Sequence, residues 1–162
     1  IRDSEEVESF GEFAKRNNAV ASTEVKSFEH LICTEQLSRR LGFKVGEELI
    51  RVVRVRSLNG NARQVDHGYF LESIAKGLTP EIAAKSIYDY LEHKRGVKVM
   101  ASRRTVSVEL ANDEDCSYLD LGKYNCVAVM ESQSYTSDGI LFEVTHARTH
   151  PEIFHYRVNS KR

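Results

Sequence analysis

Two arginines one residue apart, Arg54 and Arg56, lie in the run Ile50–Phe70, IRVVRVRSLNGNARQVDHGYF. On an extended chain alternate side chains share a face, so both guanidinium groups point one way and Val53 and Val55 the other. Neighbouring guanidinium groups repel unless an anion or a carboxylate sits between them, and Asp66 follows in the same run. The pattern suits a cationic pocket floor that holds an oxyanion; the alternative is an exposed hairpin face with a cross-strand ion pair. Two helix starts could add to such a pocket. The backbone N–H groups of Ser9, Phe10 and Gly11 open one helix, and free N–H groups favour an anion. Ser86 and Tyr88 open another, where the Tyr88 hydroxyl either meets a polar cavity or caps a half-buried core aromatic.

Other chemistry lacks its residues. The chain has no G-x-S-x-G, no P-loop and no G-x-G-x-x-G. His146, His150 and His155 fall on a predicted strand and the turn beyond it, where four-residue spacing does not bring two imidazoles to one face, so no metal site is expected. Cys33, Cys116 and Cys126 have no cation beside them in sequence, which leaves no activated nucleophile. Arg103 and Arg104 read as a solvated pair. No catalytic residue, cofactor or metal is assigned.

The elements that would position the arginines can be read in order. Asn59-Gly60-Asn61 turns one β-rich run into the next, because Asn and Gly tolerate positive φ. Ser9-Phe10-Gly11-Glu12 is an S-x-x-E capping box for a helix reaching about Asn17. A strand is expected over residues 20–33, then a helix capped by Thr34 and ended by Gly42, with Leu37 and Leu41 facing the core. Thr79-Pro80 starts another helix. Residues 86–95 form a further one, residues 97–110 a long strand, and Asn112 caps a helix holding Tyr118 and Leu119. A second hairpin joins 125–136 to Ile140–Thr149, and Ile153–Val158 reads as a last edge strand. Long hairpin-linked strands with short helices between them predict an α+β fold with a largely antiparallel sheet.

With 162 residues the chain suits one domain with a real core. A net charge of −1 argues against a free-standing DNA-binding domain, which carries a basic surface. Three scattered cysteines favour reduced thiols and a cytoplasmic setting, and no apolar run approaches a membrane span. The acidic, polar residues 1–8 (IRDSEEVE) read as the end of a linker from a missing upstream part.

The order of these signals is similar to a known family. Leu37 to Gly46, Arg54-Val55-Arg56, Asp66 to Phe70, Ser86-Ile87-Tyr88, Asp113 to Leu121 and Phe142-Glu143 resemble the effector-binding UTRA domain of GntR-type transcriptional regulators, HutC subfamily. Within it, HLICTEQLSRRLGFKVGEELIRVVRVR, GLTPEIAAKSIYDYLE and LDLGKYNCVAV look closest to the trehalose operon repressors. The resemblance implies a chorismate-lyase-like fold over residues 9–162 and no catalysis. It also implies a winged helix-turn-helix before residue 1, a homodimer on operator DNA, and a small effector that alters operator binding.

Carried over residue by residue, Ser9, Phe10 and Gly11 would contact a sugar phosphate, such as trehalose 6-phosphate, or a related anion through their backbone. Arg54 and Arg56 would make charge-assisted contacts. Asp66 would accept from hydroxyls or hold an arginine, and Ser86 and Tyr88 would hydrogen-bond the ligand. The stretch Ala147-Arg148-Thr149-His150-Pro151 departs from the Tyr-Arg-x-Asp of relatives, and the aromatic-plus-double-arginine finish of trehalose repressors is missing. Two alternatives remain open: a small lyase of the same fold acting on an aromatic acid, and a dimerisation module with no ligand.

Overall fold

The structure is a computed structural model that describes residues 10–157. Ser9, the first residue of the expected anion-binding helix start, lies outside the described residues. Six strands form one antiparallel sheet: β1 (Ala21–Ile32), β2 (Glu48–Leu58), β3 (Asn61–Leu71), β4 (Val99–Leu110), β5 (Cys126–Thr136) and β6 (Leu141–Thr149), in the order β1-β2-β3-β6-β5-β4. Among the described residues five short α-helices flank it: α1 (Phe10–Arg16), α2 (Glu35–Leu41), α3 (Pro80–Ala83), α4 (Ile87–Asp89) and α5 (Asp113–Tyr118). The expected α+β class and antiparallel sheet are observed, and the fold is chorismate-lyase-like.

The helices begin where their caps dictate. Thr34 Oγ1 accepts from the Leu37 N–H at 3.2 Å, and Gly42 ends α2 at φ 97°. Thr79 and Ser86 cap α3 and α4 through the Ile82 and Asp89 N–H groups. Asn112 and Asp115 form a reciprocal capping box on α5. Past α4 the helix widens into a π-helical turn, Tyr90–Lys94, and Leu91 is fully buried there.

The expected edge strand Ile153–Val158, whose last residue lies outside the described residues, is not seen among those described. Pro151–Ile153 forms a 3-10 turn, and residues 154–157 pair with no strand. Pro151 has no N–H to donate to a ladder, and His150 Nδ1 accepts from the Glu152 N–H at 3.1 Å, which starts the turn instead.

The main core gathers at one end of the sheet. Leu49, Ile50, Val52, Phe70, Phe142 and Val144 pack there against Leu41, Phe43, Leu78, Ile87 and Leu91. A second cluster, Val53, Val55, Val65, Val127 and Val129, lies on the face away from Arg54 and packs under Leu119 and Leu121 beyond α5. Phe10 and Ala14 of α1 close over Leu58 in a third.

The β2–β3 hairpin turns through Asn59 (φ 49°) and Gly60 (φ 81°), both in the left-handed region that a two-residue turn of this kind requires. Next to the turn Ser57 faces Ala62, but further along Arg56 faces Gln64 and Arg54 faces Asp66. Arg63 is the extra residue of a β-bulge. Were Arg63 paired in a regular ladder running on from Ser57 and Ala62, Asp66 would stand opposite Val53, on the wrong face; leaving Arg63 out of the pairing brings Asp66 to the arginines.

Candidate functional site

Strand register arranges the polar face of the sheet in rows. One row runs Arg56, Gln64, Thr149, Ala128; the next runs Arg54, Asp66, Ala147, Met130. The third is Val52, Gly68, Thr145, Ser132, Arg104, and the fourth Ile50, Phe70, Glu143, Ser134, Ser102. A cavity of about 300 Å³ opens over these rows, roofed by Phe10 and Phe13 of α1, Ile87 and Tyr88 of α4, and Ile153 to His155. That volume fits a small molecule. Gly68 leaves room in the floor: a Cβ there would stand 2.7 Å from the Phe70 ring.

The two arginines differ. Arg54 Nη2 meets Asp66 Oδ2 at 3.2 Å, and its Nη1 donates to the Ala83 carbonyl at 3.3 Å. Gln64 Nε2 donates to the other Asp66 oxygen at 2.5 Å, and Thr149 Oγ1 donates to Gln64 Oε1 at 3.1 Å. Arg54 is therefore a neutralised, well-held cation, the cross-strand ion pair foreseen as the alternative. Arg56 has no carboxylate partner among the described residues. Its guanidinium stacks 4.7 Å from the Phe10 ring centroid, and its buried Nε makes no hydrogen bond. Burial presses its pKa down against the pull of Asp66. An unpaired buried cation is costly unless an anion joins it.

At the far end sits a carboxylate that the sequence reading did not single out as a site residue. Glu143 is 2% exposed. The Tyr88 hydroxyl donates to its Oε1 at 2.9 Å, while Oε2 is buried with no hydrogen-bond partner. Burial pushes its pKa up to about 7, against Tyr88 and the more distant Arg54 and Arg104. Burial and the same carboxylate push the Tyr88 phenol up, so it stays a donor. The Tyr88 ring is exposed along its flank, but its hydroxyl reaches Ser134 as well, at 3.4 Å, and Ser134 meets Ser102 at 3.1 Å. A carboxylate inside the short apolar stretch Ile140–Val144 was the available signal.

The structure thus brings Phe10, Arg54, Arg56, Asp66 and Tyr88 together around one cavity. Two of the expected residues lie off the cavity lining. Gly11 does not line the cavity; Phe10 reaches it through its ring. Ser86 does not line it either, because its hydroxyl caps α4 on the exposed side. Arg104, read as solvated, lines the cavity, since adjacent strand residues face opposite ways and only Arg103 points off the floor.

Arg148 does not form a ligand edge. It faces the other side of the sheet, where its Nε and Nη2 donate to the buried Asp115 at 2.9 Å each and its Nη1 to Glu109 at 2.8 Å. Of that stretch, Ala147 and Thr149 face the cavity. His146 pairs with Glu131 at 3.2 Å and His150 caps a turn; among the described residues no cluster could hold a metal ion.

Comparison with known proteins finds relatives along nearly the whole chain. The UTRA domain family profile matches residues 16–155. The HTH-type transcriptional regulator TreR of Bacillus subtilis (strain 168) is 28% identical over 148 residues, covering 91% of this chain and 62% of that protein. The chain therefore spans less than two thirds of this relative's length. The solved effector-binding domain of the B. subtilis trehalose repressor superposes with a TM-score of 0.79 at 27% identity, over 87% of this chain and 98% of that one. The effector domain of PhnF from Mycobacterium smegmatis shares the fold, with a TM-score of 0.82 at 17% identity over 100% of both chains.

Proposed function

The chain belongs to the UTRA domain family, whose matched relatives are named transcriptional regulators rather than enzymes, and from that premise we propose that it senses a phosphorylated sugar for a bacterial GntR-type repressor. Residues 9–162 are the effector-binding domain; residues 1–8 end a linker from a winged helix-turn-helix that reads operator DNA in the cytoplasm. The regulator works as a homodimer.

One observation supports the effector reading: Arg56 is a half-buried cation whose buried Nε makes no hydrogen bond and which pairs with no carboxylate among the described residues. A phosphate fits that vacancy by charge, and charge-assisted bonds to a guanidinium are among the strongest available. Arg54, held by Asp66, sets the geometry and adds field. Asp66 and Glu143 Oε2 accept from hydroxyl groups further along the sugar. The likeness to a trehalose repressor makes trehalose 6-phosphate the first effector to try. The effector acts by differential affinity: a hundredfold preference for one arrangement of sensor and DNA head shifts their balance by about 3 kcal/mol.

The test is calorimetry after a thermal-shift screen of sugar phosphates, amino-sugar phosphates and organic acids. Arg56→Ala should weaken the best ligand by about a hundredfold, the cost of an unpaired buried anion, and Arg54→Ala with Arg56→Ala at least as much. Unchanged affinity in the double variant removes the cationic pocket. No hit in any class leaves the ligand-free dimerisation module.

A further inference from the structure

Asp66 has two arginines to choose from. Arg54 stands opposite it in the β2–β3 register, and Arg56 stands one row away on the same face. Burial presses the Arg56 pKa down and the charge of Asp66 works against it, so the carboxylate acts on both cations. A carboxylate offers two oxygens and can hold one guanidinium on each. Here only one is used that way. Arg54 Nη2 takes Oδ2 at 3.2 Å, while Oδ1 accepts from Gln64 Nε2 at 2.5 Å. Gln64 is itself the residue opposite Arg56, and it brings no charge. Its amide is fixed in one orientation. An ionised carboxylate only accepts, so the NH2 group must turn to Asp66 and Oε1 away from it. There Oε1 accepts from Thr149 Oγ1 at 3.1 Å, across the β3–β6 pairing.

We propose that Gln64 is a positioning residue for the effector: by occupying Asp66 Oδ1 it confines the carboxylate to Arg54 and keeps Arg56 open to an anion. Thr149, 5% exposed, locks the amide in that orientation. Without the amide, Oδ1 is free to accept from Arg56, whose buried Nε makes no hydrogen bond. Asp66 would then neutralise both cations, and an incoming anion would first have to break an ion pair. If Asp66 held Arg56 about nine-tenths of the time, apparent affinity would fall about tenfold, because only the open fraction binds. Gln64 acts here through Asp66 and Arg56, with no contact to the ligand required. The inference rests on the effector reading only in taking an anion to sit at Arg56.

Calorimetry of the purified chain with inorganic phosphate, at one pH and one ionic strength, tests it. Gln64→Met keeps the length of the side chain and drops both polar atoms, and should weaken phosphate about tenfold. In an Asp66→Asn background the same substitution should change affinity by less than about twofold, because no carboxylate remains to be diverted. Thr149→Val frees the amide to rotate and should show the same pattern at about threefold, which reads the effect even where Gln64→Met does not fold. An equal loss in both backgrounds would overturn the proposal and leave Gln64 as a hydrogen-bonding residue of the sheet alone. Unchanged affinity in Gln64→Met, in a chain whose Arg56→Ala variant loses phosphate, would overturn it too and leave the effector reading standing. A parent chain that binds phosphate no better than Arg56→Ala would overturn both.

Discussion

The sheet carries an arginine cluster on each face, and the two are built to opposite rules. On one face Arg148 uses Nε, Nη1 and Nη2 against Asp115 and Glu109, and Asp115, fully buried, also caps α5. Every charge there is answered. On the other face a half-buried Arg56 and a buried Glu143 each leave a buried side-chain atom unpartnered, and they line opposite ends of one cavity. The first cluster clamps a helix to the sheet. The second holds a cation and a carboxyl group in readiness for something the described residues do not supply. Saturation, not the presence of arginine, separates the structural group from the binding one.

The sharpest way to break the contrast is to remove Asp115. Asp115→Ala strands a half-paired Arg148 and uncaps α5, at a cost of about 3–5 kcal/mol. In a domain of this size that lowers Tm by about 10 °C. Effector affinity measured below the transition should not change, because α5 lies across the sheet. If affinity falls with it, the two faces are coupled.

Glu143→Gln should act the other way. The folded chain holds this proton until about pH 7, whereas an unfolded carboxyl loses it near pH 4.5. A raised folded-state pKa means stability falls as pH climbs through that window and stays low above it. The amide removes that slope and keeps a partner for Tyr88. The variant should therefore be more stable at pH 8, by about 1–3 kcal/mol, and level with the parent near pH 4. Thermal melts across that range decide it, and a slope that persists in the variant assigns the pH dependence to other groups.

Ser86→Ala is the smallest change. Loss of the cap on α4 costs about 1 kcal/mol and loosens Tyr88 slightly. A fall in affinity beyond tenfold with an unmoved Tm would instead put the Ser86 hydroxyl on the ligand.

Much of the cavity was legible. The Asn-Gly turn, the alternation of Arg54 and Arg56 and the caps at Thr34, Thr79 and Ser86 are local signals, and local geometry obeyed them. Glu143 and Arg104 were not, because the rows that bring them beside Arg54 depend on the order β3-β6-β5-β4, which places residues 40 to 90 positions apart on one floor. Nor could spacing separate Arg54 from Arg56. That distinction depends on which one the return strand meets, and on the Phe10 ring arriving from the far end of the chain. The expected strand beyond His150 failed for a local reason: Pro151 and the His150 cap close a tight turn before pairing can start.

The bulge at Arg63 bears on how this hairpin can drift over generations. Replacing Arg63 by almost any residue leaves the count of positions intact, and its backbone carbonyl still accepts from the His150 N–H at 2.9 Å. Deleting it loses that carbonyl but not the register: Ala62 stays opposite Ser57, Gln64 opposite Arg56 and Asp66 opposite Arg54, now in an unbroken ladder. A codon lost two positions later, at Val65, would instead turn Asp66, Gly68 and Phe70 to the valine face together and bring His67 over the cavity. The bulge is thus the one place in this strand where a single-residue change of length leaves the cavity rows aligned, and a shift beyond Gln64 is one the site cannot absorb.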